Sequence, residues 1–282
     1  MEIRTLAVLG AGTMGHGIAH AAIAGGYETR MYDVDAAAVE KGRASIEQIV
    51  RKGVDLGKVA PPEAEAMQRR LRPTSRLDEA LEGADFVIEA APERIDLKIQ
   101  LFGDIERLAP AAAVIASNTS ALSITELAGS LKNAARVAGM HFFNPVHKMK
   151  LIEIVRALES SSDTLAAVEE VSRRMGKETV LVRESPGFIT TRVNASIGNE
   201  AFYMLMEGVA SARDIDKALK LGLNHPMGPF ELVDLVGLDT RLSILEYLHR
   251  SMGEKYRPCP LLAQYVKAGR LGKKVGRGVY EY

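Results

Sequence analysis

Residues 10–15 read Gly10-Ala11-Gly12-Thr13-Met14-Gly15 and fit the pattern G-x-G-x-x-G. They follow a short apolar run at residues 3–9 and open a pattern of small residues at 14–24 that is typical of a helix. A second strand-like segment, Glu28–Tyr32, ends at Asp33. This succession of strand, glycine-rich turn, helix and strand predicts a β-α-β unit.

The three glycines of this turn have separate tasks. Gly10 permits the tight turn out of the strand, Gly12 lets the backbone approach a pyrophosphate, and Gly15 lets the helix pack close to the strand. Thr13 and Met14 lie at the start of the helix, where free N–H groups and the positive end of the helix dipole favour an anion. The turn therefore predicts a site for a dinucleotide cofactor.

Asp33 indicates which dinucleotide is bound. It stands 33 − 12 = 21 residues after Gly12, close to the spacing of about 20 expected for the acid that binds the adenosine ribose hydroxyls. A carboxylate at this place repels a 2′-phosphate, so the sequence favours NAD over NADP. The alternatives are a glycine turn beside a surface aspartate, and an FAD site.

The remainder of the first two thirds predicts an α/β fold. Residues 36–72 form a long amphipathic stretch, which predicts two helices broken near Gly53 and Gly57. Strands alternate with helical patterns, and this alternation favours a Rossmann-type doubly wound sheet that is mostly parallel. The further strands are expected at residues 85–90, 114–116, 137–142, 152–155 and 178–182.

The pattern changes at Ser185-Pro186-Gly187, and helical patterns follow one another from there. We therefore predict an NAD-binding Rossmann-type domain over residues 1–185, with a helical insert at about 36–72. An all-α C-terminal domain is predicted over residues 186–282.

Composition excludes several classes of protein. Lys plus Arg and Asp plus Glu number 36 each, and the basic excess typical of duplex-binding proteins is missing. Cys259 is the single cysteine, which fits a reducing compartment. We find no secretory signal pattern and no apolar run of the roughly 18 residues typical of a membrane span. We expect a soluble cytoplasmic protein that binds neither nucleic acid nor membrane.

His141 and Glu153 suggest acid–base chemistry. His141 lies at the end of a predicted strand, at the place where an open α/β sheet presents its ligands. An imidazole can act as general base near neutral pH. Glu153 interrupts an apolar strand, and a buried carboxylate requires a partner such as an imidazole N–H. The alternatives are a structural histidine beside two phenylalanines and an edge-strand glutamate that faces water.

A metal site is not predicted. His16 and His20 stand four residues apart on the first helix, a spacing that can bind a metal, but no third ligand follows in a recognisable pattern. Packing beside the cofactor is the simpler interpretation of both.

Taken together, the motifs of the chain resemble the 3-hydroxyacyl-CoA dehydrogenase family, and most of all its bacterial 3-hydroxybutyryl-CoA dehydrogenases. The likeness covers essentially the whole chain. The motifs stand in the family's order at residues 10–15, Glu93 with Lys98, 117–120, 141–145, 150–153, 185–188, 226–232 and 272–280.

The resemblance implies a role for individual residues. His141 is implied as the base and Glu153 as the acid that orients it, with Ser120 and Asn144 around the substrate oxygen. Glu93 and Lys98 are implied near the nicotinamide end of the cofactor, and Asn118 is implied as a further cofactor-binding residue. The alternatives are a helix N-cap for Ser120, a turn residue for Asn144, and solvated helix charges for Glu93 and Lys98.

One position departs from the family pattern. Many members carry a substrate-facing asparagine where this chain has Thr191, whose hydroxyl has a shorter reach. Asn194 or Asn199, further along the same helix, is a possible replacement. The resemblance also makes the helical insert a contact for coenzyme A, so Lys41 and Lys52 are candidate substrate residues. The alternative is a solvated basic helix face.

The resemblance implies an NAD-dependent oxidoreductase that interconverts (S)-3-hydroxyacyl-CoA and 3-ketoacyl-CoA. The substrate is expected in a cleft beside the C-terminal domain, which is also expected to pair two copies into a homodimer. Two rivals remain: a dehydrogenase of a free hydroxy acid or sugar acid on the same fold, and a non-enzymatic NAD-binding protein.

Overall fold

The structure is a computed structural model that describes residues 2–282. The chain divides into two compact units, with the division between Glu184 and Ser185. Each unit has a hydrophobic core of its own.

The first unit is built on one eight-stranded sheet in the order β3-β2-β1-β4-β5-β6-β7-β8. All neighbouring strands are parallel except β6 and β7, which are antiparallel. The predicted α/β fold class is confirmed. The strands are β1 (Thr5–Leu9), β2 (Glu28–Tyr32), β3 (Leu71–Thr74), β4 (Phe86–Glu89), β5 (Val114–Ser117), β6 (Val137–Phe142), β7 (Leu151–Arg156) and β8 (Glu178–Arg183).

The central strands are buried almost throughout, as near-continuous apolar runs in a parallel sheet should be. Helices pack against the sheet, and the glycine-rich turn lies between β1 and the first helix. The helices of this unit are α1 (Thr13–Ala24), α2 (Ala36–Asp55), α3 (Pro61–Arg70), α4 (Leu77–Leu81), α5 (Ile95–Leu108), α6 (Ile124–Gly129) and α7 (Ser162–Arg174).

The end of the predicted helical insert needs a correction. Two helices were expected up to residue 72, but α3 ends at Arg70 and the chain continues as the strand β3, which the sequence did not predict. The strand is four residues long and contains Pro73, so it shows neither alternation nor strand propensity. Proline is tolerated there because β3 is an edge strand and pairs only with β2.

The second unit is helical. Its core includes Phe202 and Phe230, whose rings meet edge to face with centroids 5.1 Å apart. Near the C-terminus, the described residues contain isolated bridges of Arg277 to Gly272 and to Glu281. The helices are α8 (Thr190–Met206), α9 (Ala212–Gly222), α10 (Pro229–Val236), α11 (Leu238–Met252) and α12 (Pro260–Lys267).

Across residues 2–282, none of the helices combines the length and the apolar character needed to cross a membrane.

Candidate active site

The glycine-rich loop is packed as its sequence predicts. Gly10 has a φ of +112°, and a Cβ atom on it would lie 2.6 Å from the carbonyl oxygen of Ala90. A Cβ atom on Gly15 would lie 1.7 Å from the carbonyl oxygen of Gly10. A larger residue at Gly15 would therefore push α1 away from the loop, and one at Gly10 would push the loop away from the segment after β4.

The N-terminus of α1 offers an anion site. Gly12 is the N-cap, no side chain caps the helix, and the first turn holds no acidic residue. A Cβ atom on Gly12 would meet no atom within 4 Å, so the space beside the first-turn N–H groups is open. Thr13 is exposed beside it, and Met14 packs against the core. These features fit the pyrophosphate of a dinucleotide.

Asp33, directly after β2, accepts a hydrogen bond from the glycine-rich loop. The backbone N–H of Ala11 donates to its Oδ2 at 2.9 Å, and that of Asp35 donates to its Oδ1 at 3.1 Å. The carboxylate is half-buried and stands beside the loop, as expected for the acid that receives the ribose hydroxyls. The guanidinium of Arg30, on the same strand, donates to the carbonyl oxygens of Glu79 and Glu82.

Glu89 is a functional candidate that the sequence reasoning missed. It ends β4 fully buried, and its carboxylate accepts from Lys98 Nζ at 2.5 Å, Ser117 Oγ at 2.6 Å and the N–H of Ala91 at 2.6 Å. The sequence could have indicated Glu89 by the argument used for Glu153, because an acid within a buried apolar strand needs a partner.

Lys98 is not a solvated helix charge, so that alternative is wrong. Its side chain is 1% exposed, and its ammonium group donates to Glu89 and to the carbonyl oxygen of Ala91. Glu93 Oε2 lies 3.6 Å away. Contact of Lys98 with the cofactor stays a prediction, and the described contacts make it first of all the partner of Glu89.

Glu93 accepts several hydrogen bonds from the segment that follows β5. Its Oε1 accepts from Thr119 Oγ1 at 2.6 Å, from the N–H of Ser120 at 3.0 Å and from Ser120 Oγ at 3.2 Å. Ser120 is not a helix N-cap, because Ser123 caps α6 by accepting from the N–H of Glu126. The predicted residues Glu93 and Ser120 are thus brought together.

His141 and Glu153 face each other across the antiparallel pair β6 and β7. His141 Nδ1 lies 2.7 Å from Glu153 Oε2, and both side chains are buried. The alternative of a water-facing Glu153 is wrong, since this residue is 0% exposed. A carboxylate only accepts, so Nδ1 is the donor of this hydrogen bond. The Phe143 ring packs on the imidazole, with centroids 4.6 Å apart.

The two asparagines of this region occupy different environments. Asn118 follows β5, and its Oδ1 accepts from the N–H of Phe142 at 2.9 Å, which ties it to the strand of His141. Asn144 is exposed in the turn before Pro145. Roles for both in binding stay predictions.

Thr191 lies half-buried in the first turn of α8. The suggestion that Asn199 replaces the missing asparagine is wrong. Its Nδ2 donates to the carbonyl oxygen of Arg257 at 2.9 Å, and its Oδ1 accepts from the N–H of Cys259 at 2.8 Å. Asn199 therefore holds the segment before α12, while Asn194 remains half-buried on the same helix.

Lys41 and Lys52 are exposed on α2 and have no ion-pair partner within residues 2–282. Arg43, by contrast, pairs with both Glu40 and Glu47. The two lysines are therefore not engaged by a protein acid, and their contact with coenzyme A stays a prediction.

The two histidines of α1 have different environments. His16 Nδ1 lies 2.8 Å from the carbonyl oxygen of Gly12, so His16 packs on the cofactor loop. His20 has a buried Nδ1 without a hydrogen-bond partner, and its ring meets that of His147 edge on. Burial first, then the neighbouring His147, Lys177 and His16, lowers the pKa of His20 to about 4. The described residues hold no cluster of three or more metal ligands.

Comparison with known proteins gives the same family along the whole chain. The 3-hydroxyacyl-CoA dehydrogenase NAD binding domain matches residues 5–185, and the C-terminal domain of that family matches residues 187–282. A probable 3-hydroxybutyryl-CoA dehydrogenase of Bacillus subtilis is 47% identical over 100% of this chain and 98% of its own length.

Solved structures agree. The crystal structure of (S)-3-hydroxybutyryl-CoA dehydrogenase from Ralstonia eutropha has a TM-score of 0.96 at 44% identity and covers 100% of this chain and 99% of that one. An NAD⁺-dependent 5-formyl-3-hydroxy-2-methylpyridine 4-carboxylic acid 5-dehydrogenase has a TM-score of 0.83 at 31% identity, over 100% and 91%. With its glycine loop, its buried His141–Glu153 pair and these matches, the chain belongs to the 3-hydroxyacyl-CoA dehydrogenase family.

Proposed function

We propose that this protein is an NAD-dependent dehydrogenase that interconverts a short (S)-3-hydroxyacyl-CoA, such as 3-hydroxybutyryl-CoA, and the corresponding 3-ketoacyl-CoA. The observation that carries the proposal is the buried contact of 2.7 Å between His141 Nδ1 and Glu153 Oε2. Relatives named 3-hydroxybutyryl-CoA dehydrogenase, 40–47% identical over nearly the full length, support the substrate class.

NAD fits the residues of the first unit. The open, uncapped N-terminus of α1 receives the pyrophosphate, and Asp33 receives the ribose hydroxyls. Glu93 and Lys98 are proposed at the nicotinamide end, and Asn118 is proposed as a further contact of the cofactor. When bound, NAD supplies the acceptor for the hydride that leaves C3 of the substrate.

His141 acts as the base in the oxidation direction. Its Nε2 takes the proton of the 3-hydroxyl as the C3 hydride leaves, so the substrate loses one proton and one hydride and becomes the ketone. Glu153 stabilises the resulting imidazolium through Nδ1, because the buried carboxylate and the new positive charge attract strongly where water is excluded. In the reduction direction the imidazolium returns the proton.

We propose that Ser120, Asn144 and Thr191 provide the polar groups around the reacting carbon. Ser120 is the best supported, because Glu93 holds both its N–H and its hydroxyl. Because this hydroxyl donates to Glu93, its lone pairs remain to accept from the 3-hydroxyl of the substrate. Lys41 and Lys52 are proposed to attract the phosphates of coenzyme A.

We also propose that the protein is a cytoplasmic homodimer that pairs through its C-terminal domain. The helical unit exposes several large apolar side chains, among them Leu221, Leu223 and Val209, which are 78%, 66% and 64% exposed. Exposed apolar groups of this kind favour an interface. Light scattering after size-exclusion chromatography should give twice the mass of 30.6 kDa.

The first experiment follows NADH consumption with acetoacetyl-CoA, in parallel with NADPH and with free acetoacetate. We expect rapid NADH oxidation with the thioester only. Preference for NADPH would contradict only the role assigned to Asp33 and would leave the proposed substrate untouched. An inert thioester in a protein that binds NADH would contradict the proposed substrate.

A second candidate is a dehydrogenase of a substrate without coenzyme A. It is favoured by the likeness to the pyridine carboxylic acid dehydrogenase, which shares the fold at 31% identity. Turnover of free 3-hydroxybutyrate at a rate equal to that of its coenzyme A thioester would favour this candidate. A strict requirement for the thioester excludes it.

A further inference from the structure

The loop of residues 143–150 joins the two strands that carry the buried acid–base pair. His141 lies one residue before the end of β6, and Glu153 is the third residue of β7. The loop itself carries Phe143, whose ring packs on the imidazole of His141 with centroids 4.6 Å apart. It also carries Asn144, which is proposed to lie beside the substrate. The conformation of this loop therefore affects the geometry of the reacting groups.

Lys177 donates two hydrogen bonds to this loop. Its Nζ lies 2.5 Å from the carbonyl oxygen of Val146 and 2.8 Å from that of Met149. Within the loop, the carbonyl oxygen of Pro145 accepts from the N–H groups of Lys148 and Met149 at 2.9 and 3.0 Å. One ammonium group thus bridges two carbonyls three residues apart and fixes the ends of a short turn.

The ammonium group of Lys177 has no acid as its partner. The side chain is half-buried, and no carboxylate of residues 2–282 forms an ion pair with it. Burial lowers the pKa of Lys177. A charge that is partly removed from water requires hydrogen bonds in exchange, and the two loop carbonyls supply them. The ammonium group and the loop therefore stabilise each other.

The backbone of Lys177 is fixed on both sides. Before it, Gly176 turns the chain out of α7 with a φ of +70°, and the N–H of Lys177 donates to the carbonyl oxygen of Ser172 at 3.1 Å. Ser172 is fully buried. After it, Glu178 begins β8, and its N–H donates to the carbonyl oxygen of Lys150 at 2.8 Å. The lysine therefore acts from a rigid base.

The opposite side of the loop packs on α1, the helix of the glycine-rich loop. Val146 is 2% exposed, and a Cβ atom on Gly17 would lie 2.9 Å from its Cβ and Cγ2 atoms. The ring of His147 meets that of His20 on the same helix edge on. The loop is thus held between α1 on one side and Lys177 on the other.

We infer that Lys177 is a positioning residue for the dehydrogenase reaction, an inference that rests on the proposed function. Lys177 takes no part in proton or hydride transfer. It holds the loop of residues 143–150 and so keeps Phe143 on the imidazole of His141 and Asn144 beside the substrate. Loss of the ammonium group leaves the carbonyls of the turn without this donor, and a small displacement of reacting groups lowers the rate strongly.

The test replaces Lys177 by Ala in the whole protein and measures NADH oxidation with acetoacetyl-CoA. We expect kcat to fall at least about tenfold at a temperature where the variant is folded. The affinity for NADH should stay within about twofold, because Asp33 and the glycine-rich loop are untouched. Lys132→Ala is the matched control, since Lys132 is an exposed lysine between α6 and β6, and it should behave like the wild type.

Two added cations separate positioning from a general contribution to stability. Propylammonium brings N–H donors into the space that Lys177→Ala vacates, and it should raise kcat of this variant at least about threefold in a saturable way. Tetramethylammonium carries the same charge without a donor and should leave kcat unchanged. Neither cation should change kcat of the wild type or of Lys132→Ala.

Amide hydrogen exchange gives a readout that needs no turnover. In Lys177→Ala, the segment of residues 143–150 should exchange at least about tenfold faster, while β1 and α1 exchange as in the wild type. The inference is overturned if Lys177→Ala keeps the kcat of the wild type, if both cations restore kcat equally, or if exchange of the loop is unchanged. A wild type without turnover of acetoacetyl-CoA contradicts the proposed function instead, and exchange then still decides whether Lys177 holds the loop.

Discussion

At the scale of single residues, two buried acids organise the candidate site. Glu153 interrupts β7 and Glu89 ends β4, and each is fully buried among apolar strand residues. Glu153 meets the imidazole of His141, and Glu89 meets the ammonium of Lys98. Removal of one member of such a pair leaves an uncompensated group in a dry environment, so both pairs should tolerate substitution poorly.

Replacement of His141 by Gln should lower kcat at least about a hundredfold, because the base is lost. The affinity for NADH should stay within about twofold, since the cofactor loop is untouched. Glu153→Gln keeps an acceptor for Nδ1 but removes the charge that stabilises the imidazolium, so a smaller loss is expected. Steady-state kinetics with acetoacetyl-CoA and NADH titration measure both effects.

His225→Gln in the helical unit is the control for these variants and should behave like the wild type. A His141→Gln protein with unchanged kcat would remove His141 from the mechanism.

Replacement of Asp33 by Asn tests the cofactor preference. The amide oxygen can still accept from the N–H of Ala11, so the loop keeps its brace. The charge that favours ribose hydroxyls and repels a 2′-phosphate is lost, so we expect NADH to bind about tenfold more weakly and the NADH to NADPH ratio of kcat/KM to fall. Asp55→Asn, at the end of α2, is the control. An unchanged ratio would contradict the assignment of Asp33.

At the scale of elements, the glycine loop fixes how closely α1 approaches the sheet. The carbonyl oxygen of Gly10 occupies the place that a side chain of Gly15 would need. This closeness places the first-turn N–H groups beside the end of β1, at the carboxyl edge where His141 and Glu89 also lie.

Gly15→Ala should therefore destabilise the fold by about 3 kcal/mol, because the Cβ meets backbone and not a flexible side chain. Gly103→Ala is a matched control, since Gly103 also lies in a helix, α5, and its Cβ would meet nothing within 4 Å. Alanine has the higher helix propensity, so this control should gain about 0.5–1 kcal/mol. Urea unfolding measures both, and equal effects of the two substitutions would contradict the packing argument.

At the scale of the whole molecule, stability should depend on pH through His20. Its pKa falls from 6.5 to about 4 on folding, so the unfolded chain binds the proton more readily. Stability therefore rises with pH between about 4 and 6.5 and is lost as the pH falls through this window. The loss from this one group is about 2 kcal/mol at pH 5 and about 3 kcal/mol at pH 4.

His20→Gln should remove this part of the acid sensitivity, while carboxylates that titrate in the same range still contribute. The measurement is the free energy of unfolding in urea at pH 7, 5.5 and 4.5 for the wild type and the variant. Parallel curves for the two proteins would show that His20 does not titrate as its burial requires. His225→Gln provides the control for loss of a histidine as such.

The sequence by itself determined the α/β fold class and the glycine loop with Asp33, because these depend on local periodicity and on turn chemistry within about thirty residues. The family followed from the order of short motifs along the whole chain, which resembles that of known members. It also indicated that Glu153 needs a partner. Only the tertiary structure decided which groups meet. The pairing of Glu89 with Lys98, the hold of Glu93 on Ser120, the use of Asn199 by Cys259 and the edge strand β3 all depend on strand order and helix packing. Contacts between segments far apart in sequence leave no periodic signal, so their partners become visible only once the sheet is assembled.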